Sequence, residues 1–212
     1  MAGTGGAETP RERYRAQVRA EVKERAREQI ASAGASALSL NAIARQLGMS
    51  GPALYRYFAS RDELITELIR DAYRSLADAV RAADGDVASL AGALRAWALA
   101  DPHRYFLVYG TPVPGYHAPD DITAIASEIM ARLLDACAEL PAGGTRTPLD
   151  THLDEHRQWT DGHPAPAPAP RRALAFWTRL HGVLSLELAG HFTGMGLDPA
   201  QLYAAELDSL GD

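Results

Sequence analysis

From Tyr14 onward, apolar side chains recur every fourth residue, as Tyr14, Val18, Val22, Ala26 and Ile30. A spacing of four places them on one stripe of a helix, and Gly34 offers a C-terminal stop. A short helix is expected over residues 40–47, capped by Ser39 and ended at Gly48. A third starts near Ser50, with Pro52 tolerated in its first turn. Ser60-Arg61-Asp62-Glu63 has the form of a capping box, in which Glu63 reaches back to the cap. Behind it Leu64, Ile65, Leu68, Ile69, Ala72, Tyr73, Leu76 and Val80 mark one face of a long helix. Leu90, Leu94 and Trp97 do the same within residues 86–100, and Asp101-Pro102 starts a helix over 103–109. Ile122, Ile125, Ile129, Leu133 and Leu140 line another. No segment alternates with period two, so the expected class is all-α.

Three stretches interrupt the helices. Residues 110–119 and 141–148 are rich in Pro and Gly or Thr, and 163–170 is an alternating Pro-Ala tract that favours extended backbone. Residues 149–161 are polar and suit a marginal helix at most, so 141–170 is expected as a flexible loop or linker excursion. Residues 171–192 are apolar on more than one face, which requires burial on both sides. One side can meet its own domain and the other a second copy, as a homodimer. Asp198-Pro199 starts a last helix whose Leu202, Leu207 and Leu210 suit a four-helix dimer bundle. The organisation that follows is a disordered tail at 1–10, a three-helix domain at 11–60 and a helical-bundle domain at 61–212.

Composition narrows the class. With 212 residues, 47% of them hydrophobic, the chain can bury a large core. Yet it has no apolar run near the roughly 18 residues of a membrane span. The first ten residues lack the apolar region of a secretory signal. Cys137 is the only cysteine, which excludes a disulfide framework and fits a reducing cytoplasm. The net charge of −6 hides a contrast: residues 1–70 carry eleven basic and eight acidic side chains, while the remainder carries ten and nineteen. A basic head on an acidic body suits a local contact with DNA.

Enzymatic chemistry has one candidate, His152 and His156 at i, i+4 with Asp154 and His163 nearby. The order differs from His-Glu-x-x-His, and the segment has no rigid surroundings to orient ligands, so neither catalysis nor a metal or cofactor is expected. Cys137, on an amphipathic helix, reads as a small core residue.

The informative stretch runs from Ser39 to Phe58. Two short helices meet at a tight Gly48-Met49-Ser50 turn, with Ala42, Ile43, Leu47, Leu54 and Phe58 able to form a small core. This is a helix-turn-helix arrangement, whose second helix enters the major groove. Its outward positions, Gly51, Pro52, Ala53, Tyr55, Arg56 and Tyr57, are small, aromatic or basic. Small residues allow close approach, and an Arg can address guanine O6 and N7.

The sequence here resembles the TetR family of bacterial repressors through Leu40, Ile43, Ala44, Leu47, Gly48, Ser50, Leu54, Tyr55, Tyr57 and Phe58, then Ser60, Arg61 and Leu64. The later part resembles a TetR-type C-terminal domain with a Trp-x-x-x-His-Gly signature. It does so through residues 105–116, Trp177-Thr-Arg-Leu-His-Gly182 and Leu186-Glu187. The family pattern differs at Gln29-Ile30, at Tyr57 and at Arg61, and Pro52 restricts the first turn of the reading helix. The resemblance implies a homodimer that binds a near-palindromic double-stranded operator and releases it when a small molecule enters the C-terminal domain. By that resemblance Ser39, Tyr55, Tyr57 and Arg61 contact phosphates, while Ser50, Gly51, Pro52, Ala53 and Arg56 face base edges. Arg45 either touches a flanking phosphate or is solvated. Pockets in helical bundles are mostly apolar with a few polar groups. The candidate lining is therefore Trp97, Tyr105, Tyr109, Met130, Leu133, Leu134, Phe176, Trp177 and His181. His181 either serves a ligand carbonyl or bonds a buried backbone group.

Overall fold

A computed structural model describes residues 9–110, 119–141 and 145–210. The tail at 1–8 and most of the 110–119 loop lie outside them. Among the described residues there are ten α-helices and no strand: α1 (Pro10–Ala33), α2 (Leu40–Gln46), α3 (Gly51–Leu54), α4 (Arg61–Ala82), α5 (Val87–Ala100), α6 (Pro102–Tyr109), α7 (Asp120–Ala138), α8 (Pro148–Glu155), α9 (Ala169–Leu188) and α10 (Pro199–Asp208). None of these is long and apolar enough to cross a membrane. The chain divides within α4 into two units, one ending at Arg70 and the other resuming at Asp71.

In the first unit, α1 begins earlier than the expected tail allows. Thr9 and Glu12 cap it reciprocally: Glu12 N–H donates to Thr9 Oγ1 at 3.2 Å and Thr9 N–H to Glu12 Oε2 at 2.8 Å, with Pro10 in the first turn. Its buried stripe is Val18, Val22, Ala26 and Ile30, as the spacing predicts. Tyr14 departs from the prediction: it is 63% exposed, because α1 outruns the small core beneath it. That core is closed by Ile43 of α2, Leu54 of α3, Phe58, and Leu64 and Ile65 of α4, all fully buried. Each such side chain contributes about 1.5–3 kcal/mol by leaving water.

The second unit has its own core. Ala72, Leu76 and Val80 of α4, Leu90, Leu94 and Trp97 of α5, Ile129 and Leu133 of α7, and Phe176, Leu180 and Leu184 of α9 share one apolar cluster. Polar side chains tie the layers together. Arg95 of α5 forms a two-pronged ion pair with Glu187 of α9, and the Tyr203 hydroxyl of α10 donates to the Ala91 carbonyl at 2.9 Å. Buried Arg172 donates to the carbonyls of Leu140 (3.3 Å) and Pro141 (2.8 Å), ending α7. Cys137 is fully buried, and burial pushes its thiol up to about 12, which keeps it unreactive.

The excursion expected at 141–170 takes a different form where it is described. Thr147 and Asp150 cap α8 reciprocally, with Pro148 in the first turn. Asp150 is buried and accepts from Arg171 Nε at 3.1 Å, which fastens α8 to α9. Ala165 and Thr160 are buried too, and α9 begins at Ala169, inside the expected Pro-Ala linker. Apolar and ionic anchors on the packed side outweigh the polar average that suggested a loop.

Candidate functional site

The geometry of the first unit centres on the turn after α2. Met49 N–H bonds back to the Ala44 carbonyl at 2.9 Å and Gly48 N–H to the Arg45 carbonyl at 3.2 Å. This is a Schellman closure, which needs a left-handed residue at its corner, and Gly48 sits there at φ +65. Ser50 then caps α3 by accepting from Ala53 N–H at 3.4 Å. The expected reading helix proves short. The α-helix stops at Leu54, and Arg56 and Tyr57 continue in tighter i→i+3 turns to the Ala53 and Leu54 carbonyls. Phe58 thus lies beyond the helix, although it is buried as expected.

A four-residue helix has little stability of its own. Its support comes from α1. Arg15 Nη2 donates to the Arg56 carbonyl at 3.3 Å, Arg19 Nη1 donates to the Tyr57 carbonyl, and the Arg19 guanidinium lies 4.1 Å from the centre of the Phe58 ring. Glu63 and Glu67 hold Arg19 from the other side.

Ser50, Pro52, Tyr55 and Arg56 are exposed on the segment so held, and Gly51, Ala53 and Tyr57 are half-buried. Tyr55 is 45% exposed, which separates it from the core packing of Phe58. Ser39 caps α2 by accepting from Ala42 N–H at 3.3 Å, so its hydroxyl proton stays available to an outside acceptor. Arg45 is exposed near the end of α2. Arg61 is used differently: its Nε donates to the Leu38 carbonyl at 3.2 Å and its Nη2 to the Ala35 carbonyl at 2.7 Å. These bonds staple the start of α4 to the α1–α2 connection. At the same junction Glu63 reaches past its cap residue, accepting from Ala59 N–H at 2.6 Å, while Ser60 Oγ accepts from Glu63 N–H at 3.0 Å. An open cavity of about 420 Å³ lies between Arg11, Tyr14 and Arg15 of α1 and Met49, Ala53, Arg56 and Tyr57. Arg11 and Arg15 were absent from the expected site and Tyr14 was read as part of the apolar stripe; the basic residues at the start of α1 were the available signal.

The second unit contains a small apolar cavity of about 20 Å³, lined by Leu76, Val80, Leu90, Leu94, Ile129, Leu133, Phe176 and Trp177. That is room for about one water molecule. Of the expected lining, Leu133, Phe176 and Trp177 are therefore at the cavity. Trp177 also touches an aromatic cluster. Its ring centre is 4.4 Å from His181 and 5.5 Å from Tyr109, and Tyr109 is 4.2 Å from His181. Tyr105, fully buried, is 5.3 Å from Tyr109 and holds its hydroxyl 3.1 Å from His181 Nδ1 and 2.8 Å from Ser185 Oγ. Burial pushes the His181 imidazole down to about 4 and the Tyr109 phenol well up, so both are neutral at pH 7. Trp97 donates to Ser75 Oγ at 2.9 Å and supports Arg104 on its ring face, while Leu134 is fully buried and Met130 packs against the core. None of these three borders the cavity. The rings of His152 and His156 lie 4.2 Å apart, tilted by 30°, and among the described residues no three ligating side chains gather for a metal.

Comparison with known proteins agrees with this layout. Residues 24–68 match the bacterial regulatory proteins of the tetR family, and residues 87–210 match the tetracyclin repressor-like C-terminal domain. The chain is 39% identical to the HTH-type transcriptional regulator Rv1816 of Mycobacterium tuberculosis, over 91% of this chain and 90% of the relative. It is 70% identical to SCO4313, described as a regulatory protein, whose crystal structure superposes with a TM-score of 0.88 over 95% of this chain and 98% of that one. A protein of unknown function from Rhodococcus sp. RHA1 shares the fold at 24% identity, with a TM-score of 0.65 over 92% and 93% of the two chains.

Proposed function

This chain belongs to the TetR family of bacterial regulatory proteins, and from that premise we propose that it is a cytoplasmic transcriptional repressor released by a small molecule. Two copies present their α3 segments to successive major grooves of a near-palindromic operator. The observation that carries this reading is the edge of exposed Pro52, Tyr55 and Arg56 beside half-buried Ala53, held by the Gly48 corner and by the α1 arginines. Arg56 and the small residues beside it address bases, while Ser39, Tyr55, Tyr57 and Arg45 suit phosphates.

The homodimer is supported by what α9 and α10 leave uncovered within one chain. Leu186 is 45% and Leu202 36% exposed, and Gly182 of α9 has no atom within 4 Å of where a Cβ would stand. Apolar and small residues on adjoining helices suit a matching pair in a second copy. Coupling runs through α4, one continuous helix with Leu64, Ile65 and Leu68 in the first core and Leu76 and Val80 at the cavity. A ligand that shifts α4 alters the spacing of the two reading segments. Half-sites demand a spacing of about 34–36 Å, so a few ångströms suffice for release.

Fluorescence anisotropy on fragments from the region upstream of its own gene, beside sedimentation velocity, tests the proposal. A dimer that prefers one fragment over scrambled DNA is expected, and Leu186→Glu is expected to weaken pairing at least about tenfold by burying a charge. A single subunit with no preference among fragments sinks the repressor reading.

A further inference from the structure

Native proteins rarely leave buried polar atoms unpaired, because an unmade hydrogen bond leaves the lost hydration uncompensated. Two such atoms belong to neighbouring rings of the second unit. Tyr109 Oη and His181 Nε2 are buried and have no hydrogen-bond partner among the described residues, and their rings are 4.2 Å apart. His181 as a whole is only 9% exposed. The orientation of His181 is set by the rest of the cluster. The imidazole is fixed through its other nitrogen, Nδ1, by the Tyr105 hydroxyl at 3.1 Å, and Tyr105 is itself held by Ser185. The ring therefore cannot turn Nε2 towards another group without breaking that contact.

Trp177 links this pair to the apolar cavity. It contacts both rings and is also one of the eight described residues that line the cavity. The other seven are aliphatic or phenyl side chains, and none of the described lining residues is charged. A molecule occupying both regions must displace Trp177, since about 20 Å³ holds no more than a water. The two open atoms belong to groups that are neutral at pH 7, as the burial of both rings requires. A charged ligand group would gain no counter-charge there and would lose its hydration.

We infer that the effector is a neutral, mainly apolar molecule whose one hydroxyl or carbonyl group bonds Tyr109 Oη and His181 Nε2, while its body takes the space released by Trp177. This rests on the effector reading above and gives it a chemistry. A hydroxyl suits the pair in either histidine tautomer, because it both donates and accepts. If Tyr105 donates to Nδ1, then Nε2 carries the proton and donates to the ligand oxygen; in the other tautomer Nε2 accepts.

The test uses the full-length protein and four probes of one shape: 4-propylphenol, propylbenzene, 4-propylbenzoate and 4-propylbenzylammonium. Binding is followed by tryptophan emission and by the shift in melting temperature. The phenol is expected to bind best, propylbenzene more weakly, and the two ions worst. Tyr109→Phe removes an unpaired hydroxyl, so its melting temperature is expected to hold or rise while phenol affinity falls roughly three- to tenfold. Propylbenzene affinity should stay unchanged in that variant. His181→Asn gives an independent second loss. Equal phenol affinity in wild type and Tyr109→Phe overturns the inference, as does preferential binding of either ion or failure of all four probes. Operator binding measured without any probe is separate: if it persists, the inference alone has failed, and if it is absent, the repressor reading has failed. Phenol binding that leaves operator affinity unchanged keeps the site but removes its role in release.

Discussion

Acidification should expose His181 as a stability switch, because it is the buried base at the centre of the aromatic cluster. Its pKa is pushed from 6.5 to about 4 by burial, so the folded protein binds this proton less readily than the unfolded chain does. The stabilising effect is fully present above pH 6.5 and is lost as pH falls towards 4. Each pH unit within that window removes about 1.4 kcal/mol. Moving from pH 7.5 to 5 crosses about 1.5 units of it, a loss of about 2 kcal/mol, which is large against a typical domain stability of about 5–15 kcal/mol. Urea unfolding at a series of pH values, at fixed protein concentration, measures the slope. The informative quantity is the difference between wild type and His181→Asn, which isolates the imidazole. The two curves should converge by about 2 kcal/mol on acidification. Parallel curves would show that the imidazole is not shielded, and the reasoning from its burial would be wrong.

Further outcomes follow from the first unit. Gly48→Ala should lower stability by about 1–2 kcal/mol, since φ is +65 and no atom lies within 4 Å of the new Cβ, so the effect is conformational alone. An unchanged urea midpoint would remove the left-handed corner from the account. Arg61→Ala should lower stability by about 1–3 kcal/mol by freeing two carbonyls, yet leave the salt dependence of DNA binding intact; a salt slope smaller by about one would make it a phosphate contact instead. Arg56→Ala should weaken binding to the preferred fragment by about 1–3 kcal/mol and scrambled DNA much less. Equal losses on both would assign Arg56 to the backbone.

Helix content was legible because periodicity reports burial directly, as with Val18, Val22, Ala26 and Ile30. The same rule misplaced Tyr14, since a spacing pattern does not say where the core beneath a helix ends. Arg61 was unreadable for another reason. Its acceptors are backbone carbonyls at 35 and 38, and a carbonyl has no residue type for a pattern to detect. The α8 segment did carry a signal, Thr147-Pro148 with Asp150, but its polarity masked it. At the cavity, Leu76 and Val80 lie on the same stripe as ordinary core residues, so sequence alone does not separate lining from packing. The open atoms Tyr109 Oη and His181 Nε2 are visible only in three dimensions.

The arginines of α1 have a consequence for how such a protein changes over time. Because Arg15 and Arg19 hold the Arg56 and Tyr57 carbonyls, the angle of the reading segment is set by residues about forty positions upstream. Variation along α1, outside the short helix itself, can then retune which sequences are preferred. Swapping the short helix alone between relatives would carry its side chains without its posture.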